Sequence, residues 1–145
     1  MNSESTFRVV KGTSFIPGSV CWIAVSTADP AGSRDFYAGL LGWTYQTDPN
    51  RGRRRYTTAL CDGRPVAGLA RDPVRAGQTA TWTLYLASAN ITHTAEVFVR
   101  WGAQLLYGPA DVPGQGRVLI GADPTGAVIG FWQTATPWSF HTADT

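Results

Sequence analysis

The side chains that can move a proton or hold a metal are few in this chain and stand far apart. There are two histidines. His93 falls early in an expected helix, on its outer side, and His141 lies in the C-terminal tail. Both read as surface residues. The acids stand singly. Asp29 and Asp123 precede prolines and read as cap and turn residues. Asp35 and Glu96 fall on helix surfaces, and Asp62 belongs to a turn. No close carboxylate pair is visible, so glycoside hydrolysis has no support. No serine or cysteine stands in a nucleophile motif. Three polar residues remain as candidate catalytic groups: Asp111, Tyr56 and Arg117. Asp111 is expected in a loop over a site mouth, where it would shuttle a proton or simply be a solvated acid. Tyr56 and Arg117 each begin an expected strand and could hydrogen-bond a ligand's polar edge. Arg117 could equally pair with Asp111. Arg51, Arg53, Arg54 and Arg55 form a basic hairpin tip. Such a tip can grip an acidic ligand, but keeping a strand end soluble is the plainer reading.

The elements that position these groups repeat. Residues 20–26, VCWIAVS, are β-branched and aromatic and predict a strand. Asp29-Pro30 then caps a helix on which Phe36, Tyr37, Leu40 and Leu41 share one face, and Gly42 stops it. Strands follow at 43–49, 56–61 and 64–70, with a tip at 50–55 and a tight Asp62-Gly63 turn. After a linker at 71–80 the plan returns. It has a strand at 81–87 and a helix capped by Asn90 or Ser88, presenting Ile91, Ala95, Phe98 and Trp101 on one side. Strands at 104–107, 117–122 and 127–133 follow, with a loop at 109–116 and a turn at Asp123-Pro124-Thr125-Gly126. Trp22 and Trp82 are 60 residues apart, as are Gly42 and Gly102. Gly68 and Gly130 are 62 apart, a slip of two within the repeat. The chain therefore predicts an α+β fold of two βαβββ modules, 20–70 and 81–133, a duplicated supersecondary unit. A polar arm (1–19) precedes them and a tail (134–145) with Trp138 and Phe140 follows.

Composition limits the function classes. The chain has 145 residues, 43% of them hydrophobic and 15% charged, and a net charge of +2. That charge is too small for a dedicated nucleic-acid binder. No apolar run is long enough to span a bilayer, and the polar first residues lack a signal peptide's apolar centre, so a cytoplasmic protein is expected. Cys21 and Cys61 lie in strand-like runs and read as buried thiols rather than a disulfide. The 6 Trp and 6 Phe are heavy for this length and point to a core or a binding site built from rings.

Two βαβββ copies in this order resemble the vicinal oxygen chelate superfamily, which includes glyoxalase I, extradiol dioxygenases and bleomycin-resistance proteins. STADPAGSRDFYAGLLGW in the first helix region and DVPGQGRVLIGADPTGAVIGFWQ near the end carry the likeness. It implies a curved mixed sheet around a cleft, with the helices outside. It also implies one metal on four ligands, from the first and last strand of each copy. Laid on this sequence those positions are Trp22, Gly68, Trp82 and Gly130. An indole N–H only donates, and glycine has no side chain. No metal and no other cofactor is therefore expected.

Strand alternation then gives the cleft wall. Trp22, Ala24 and Ser26 share one face, as do Val66 and Gly68, Trp82, Leu84 and Leu86, and Val128, Gly130 and Trp132. The opposite parity, Cys21, Ile23, Val25, Ile129 and Phe131, faces the helices. Two readings stay open. Glycines beside large rings leave room for a flat ligand, or the indoles fill the glycine space and plug the cleft. The resemblance to drug-resistance members implies a metal-independent binding protein for a bulky apolar or aromatic small molecule, a secondary metabolite or drug, acting by sequestration. The alternative is a metal-independent cyclase or isomerase on a natural-product intermediate, and a third is a ligand-free interaction module. A small molecule is the expected partner, with no nucleic acid and no membrane. A homodimer made by module swapping stays open.

Overall fold

The structure is a computed structural model, and it describes residues 15–47, 56–71 and 80–135. Those residues form eight strands and two helices: β1 (Val20–Thr27), α1 (Pro30–Leu41), β2 (Thr44–Thr47), β3 (Tyr56–Cys61), β4 (Arg64–Arg71), β5 (Thr81–Ala87), α2 (Ile91–Arg100), β6 (Gln104–Val112), β7 (Gly116–Ala122) and β8 (Val128–Thr134). The order βαβββ, twice, is the one expected, and the class is α+β. Neither helix is long and apolar enough to cross a membrane. The arginine tip at 51–55, His141, Trp138 and Phe140 lie outside the described residues.

The chain divides into two compact units. The first runs from Trp22 to Leu84, and the second takes the residues before Trp22 and those from Tyr85 onward. In the first the strand order is β2-β3-β4-β1. β1 runs parallel to β4, and the other pairs are antiparallel. In the second the order is β5-β8-β7-β6, with β5 parallel to β8 and the rest antiparallel. Each unit thus closes its one parallel pair through a helical crossover, as parallel neighbours require.

Local chemistry sets the ends. The Asp29 carboxylate accepts from the Gly32 N–H at 3.0 Å, and Pro30 occupies the first turn, where no N–H is needed. Gly42 takes the left-handed conformation at φ +74° and donates to the Ala38 carbonyl at 2.9 Å. Asn90 caps α2 by accepting from the His93 N–H at 3.1 Å. The Gln133 side-chain carbonyl takes the Ile91 N–H at 2.7 Å, which ties α2 to β8. Asp62 and Gly63 both have positive φ, the two-residue hairpin geometry that Asp-Gly favours.

The two helices sit differently on their sheets. Ile91 and Ala95 of α2 are buried against Leu119, with Phe98, Leu105 and Phe131 packed around them. Trp101, expected on that same face, is instead the residue that ends the helix, and it is 77% exposed. α1 buries no residue at all. The sheet face under it is built of small side chains, Ala59, Ala67 and Thr57, beside Val25 and Leu69. A second correction concerns the loop expected at 109–116. Most of it is strand, because β6 continues to Val112 through register shifts around Gly108 and Pro109. A proline at such an irregularity need not donate to the ladder.

Candidate functional site

Each sheet has a helix side and an opposite side, and the pairings tell them apart. In the first unit the Tyr45 hydroxyl donates to the Arg34 carbonyl of α1 at 2.9 Å. Tyr45 pairs with Ala59, and Ala59 with Ala67, so these residues mark the helix side. Gly68 lies next to Ala67 and points the other way. It pairs with Ala24 and Thr58. Alternation adds Trp22, Ser26, Val66 and Tyr56 to that opposite face. A Cβ built on Gly68 would run into the Tyr56 hydroxyl and come within 3.1 Å of the Trp22 indole nitrogen. That indole N–H donates to the Tyr56 hydroxyl at 2.8 Å. The space that glycine leaves is thus taken by a phenol, and the phenol is held by an indole. Both rings remain half-buried, so each still presents surface.

The second unit repeats this arrangement with different strands. Phe131 contacts Phe98 of α2 at a centroid distance of 5.7 Å and marks the helix side. Gly130, its neighbour, pairs with Tyr85 and with Ile120. A Cβ on Gly130 would run into the Tyr85 ring. Tyr85 in turn meets the Trp132 ring edge-on, at 6.1 Å and 84°. Glycine, phenol and indole therefore come together once in each unit, on the face turned away from the helix.

A family model matches residues 19–131, that of the Glyoxalase/Bleomycin resistance protein/Dioxygenase superfamily. The chain belongs to this superfamily. Among curated proteins it is similar to the anthracycline biosynthesis protein DnrV of Streptomyces peucetius. The two are 34% identical over 134 residues, which is 83% of this chain and 49% of the relative. It is 31% identical to CFP32 of Mycobacterium bovis, which carries a provisional glyoxylase name, over 85% of this chain and 48% of that one. The chain thus spans about half the length of the curated relatives it matches. Among solved structures the methylmalonyl-CoA epimerase of Streptomyces coelicolor superposes with a TM-score of 0.62. It is 16% identical and covers 83% of this chain and 100% of its own. That likeness is one of fold.

Within the superfamily's plan, the structure brings together Trp22, Ala24, Ser26, Val66 and Gly68, with Tyr56 beside them. It also brings together Val128, Gly130 and Trp132. It does not add Trp82, Leu84 and Leu86 to either set. The Trp82 indole donates to the Tyr37 hydroxyl of α1 at 3.0 Å, so it lies on the helix side of β5. Leu84 follows by alternation, and Leu86 pairs with Phe131. The register is the reason. Ala24 faces Gly68 in one parallel pair and Tyr85 faces Gly130 in the other, one residue out of step with the tryptophan spacing. An odd step in a strand exchanges its faces. The position matching Trp22 is therefore Thr83, which is buried.

Arg117 and Asp111 form the ion pair that was one of the two readings of Arg117. Arg117 pairs with Gln133, on the helix side of β7. Its guanidinium donates to the Asp111 carboxylate at 3.0 Å and to the Thr92 hydroxyl of α2 at 3.0 Å. The pair laces β6 and β7 to the start of α2, far in orientation from Gly130. Of the three expected polar groups only Tyr56 shares a face with the glycine–indole set. Tyr85 and Thr83 were not foreseen. Among the described residues no group of three or more His, Cys, Asp or Glu could hold a metal ion. Cys21, on the opposite parity from Trp22, is a free thiol. Desolvation by burial pushes its pKa up to about 11, so it is a poor nucleophile at neutral pH.

Proposed function

We propose that this chain is a metal-independent binding protein for a bulky, flat, largely apolar small molecule in a natural-product setting. The observation that carries the metal-independent part of the reading is the tyrosine seated over each glycine. Gly68 and Gly130 stand where relatives with a metal centre would place carboxylates, and a phenol fills each space. In the first unit Trp22, Tyr56 and Thr83, and in the second Tyr85 and Trp132, offer indoles and hydroxyls beside the glycines but no carboxylate or imidazole, which does not fit a metal. The half-buried indoles of Trp22 and Trp132 offer aromatic faces instead, each worth about 0.5–1.5 kcal/mol per stacked ring beyond area burial. The Tyr56 hydroxyl, fixed by the Trp22 N–H, is oriented to meet a polar edge of the ligand. The similarity to a protein named for anthracycline biosynthesis supports the natural-product setting.

One observation favours a second reading, a cyclase or isomerase. An N–H donated to a phenolic oxygen stabilises negative charge there, so Tyr56 would serve as a proton donor. The two readings separate on one titration. Tryptophan emission is followed while a hydroxyanthraquinone is added, and the recovered compound is then checked by mass spectrometry and chromatography. Binding predicts saturable quenching at micromolar concentration, weakened in Trp22→Phe or Trp132→Phe, with the compound returned unchanged. Absence of saturation with every flat aromatic tried would refute it, and a rearranged product would favour the enzyme.

A further inference from the structure

The first unit's face turned away from α1 carries hydroxyls that its two rings do not use. Ser26 of β1 faces Ala70 of β4, and Ala70 faces Tyr56 of β3. One row along, Gly68 stands between Ala24 and Thr58, and Thr58 faces Gln46 of β2. Directly paired residues share a face, so Ser26, Thr58 and Gln46 all stand on the side of Gly68. Ser26 and Thr58 are half-buried. Neither hydroxyl has a hydrogen-bond partner among the described residues, and no fully buried polar side-chain atom among them lacks one. Both hydroxyls are therefore open to whatever lies against the face. Between them the sheet offers only the small residues Ala24, Gly68 and Ala70, with the Tyr56 phenol laid over the glycine. In the second unit the rows through Gly130 and Trp132 bring Ile120, Val118 and Ala110, with the phenols of Tyr85 and Tyr107. No aliphatic hydroxyl stands in those rows.

Resting on the binding reading above, we propose that the first unit selects its ligand by oxygen: a fused-ring aromatic with hydroxyl or carbonyl groups on its periphery, chosen over the bare ring system by the hydroxyls of Ser26 and Thr58. A serine or threonine hydroxyl both donates and accepts, so each can meet a ligand carbonyl or a ligand hydroxyl. Their side chains are uncharged, as is that of Gln46, and so match neutral oxygens. β1 and β3 flank β4, which puts Ser26 and Thr58 roughly 10 Å apart across the strands. A fused three-ring system has that scale, so one ligand can lie over the small residues and meet both hydroxyls. A bare ring system would cover the same two hydroxyls, strip their water and leave them unpaired, which costs binding energy. An oxygenated one replaces the water it displaces. Sites that hydrogen-bond a ligand hydroxyl discriminate against the analogue without it for this reason.

The test is a pair of tryptophan-quenching titrations on the full chain, one with a dihydroxyanthraquinone and one with anthracene, the same three rings without oxygen. Ser26→Ala and Thr58→Val are each expected to weaken the dihydroxyanthraquinone by roughly three- to tenfold, the worth of one uncharged hydrogen bond. Each should leave any anthracene affinity within about twofold. Thr58→Ser, which keeps the hydroxyl, is expected to bind the dihydroxyanthraquinone as the wild type does. Circular dichroism checks the fold of each variant, and should Thr58→Val disturb its strand, Ser26→Ala decides alone. Variants that weaken both probes equally, or neither, overturn the proposal and leave the binding reading standing. A wild type that binds neither probe overturns the binding reading and this proposal with it.

Discussion

Gly68→Ala is the sharpest probe of the ring that sits over the glycine. The added methyl lands on the Tyr56 hydroxyl and reaches within 3.1 Å of the Trp22 indole nitrogen. Tyr56 cannot withdraw along the chain, because it is a paired residue of β3 facing Ala70 of β4. Its ring must turn away, which breaks the Trp22–Tyr56 hydrogen bond. Overpacking of this kind costs about 1–3 kcal/mol, and the lost bond about 0.5–1.5 kcal/mol. Replacing a strand glycine by alanine returns about 0.5–1 kcal/mol of chain entropy. The net expectation is a destabilisation of about 1–3 kcal/mol. In a Tyr56→Ala background the main obstacle is gone and only the 3.1 Å approach to the Trp22 indole is left against the entropy gain, so the same substitution should be neutral or stabilise by up to about 1 kcal/mol. Urea melts of the wild type, both single variants and the double variant give the coupling directly. A Gly68→Ala effect that is the same in both backgrounds would refute the packing argument.

Other predictions follow from the same structure. Cys21, with its pKa pushed up to about 11, should react slowly with a disulfide reagent at pH 8 and at a normal rate once urea unfolds the chain. Because its folded pKa lies above the unfolded value, its contribution to stability is present at neutral pH and is lost as pH rises from about 9 through 11. Asp123 accepts the Thr125 hydroxyl at 2.6 Å and the Ala127 N–H at 3.0 Å, and these bonds hold its carboxyl below the ordinary value. A carbon-detected titration should find it below the ordinary aspartate value, its stabilising effect present above the unfolded pKa and lost as pH falls through the folded one. Arg117→Ala should leave aromatic-ligand affinity within about twofold, since Arg117 faces α2, and a loss of tenfold or more would return it to the site.

Much of this was legible in the residues themselves. The cap at Asp29, the stop at Gly42 and the Asp62-Gly63 hairpin follow from turn chemistry that needs no tertiary context. The βαβββ order followed from strand and helix periodicity, and the family match over residues 19–131 agrees with it. The alternation of β1, β4 and β8 is readable from the sequence, and in the structure Gly68 pairs with Ala24 and Gly130 with Tyr85. β5 is the exception. Its text, TWTLYLA, alternates threonine with large apolar residues, which fits either face. The face is decided by pairing with β8, and a one-residue shift in parallel register leaves no mark on the strand's own sequence. Asp111 was misplaced for a different reason. A Gly-Pro pair reads as the end of a strand, while β6 carries it as an irregularity and continues to Val112. The exposed face of α1 was invisible too, since helical spacing names a shared face and not what covers it.

The central claim is binding without a metal, and calorimetry tests it most directly. Protein dialysed against EDTA and shown by elemental analysis to hold less than a tenth of a metal per chain is titrated with a hydroxyanthraquinone. The expected isotherm has one site per chain, micromolar affinity or about −8 kcal/mol, and a negative heat-capacity change from apolar burial. Adding zinc, nickel or iron should leave it unchanged. Heat that appears only after a divalent metal is restored would contradict the claim.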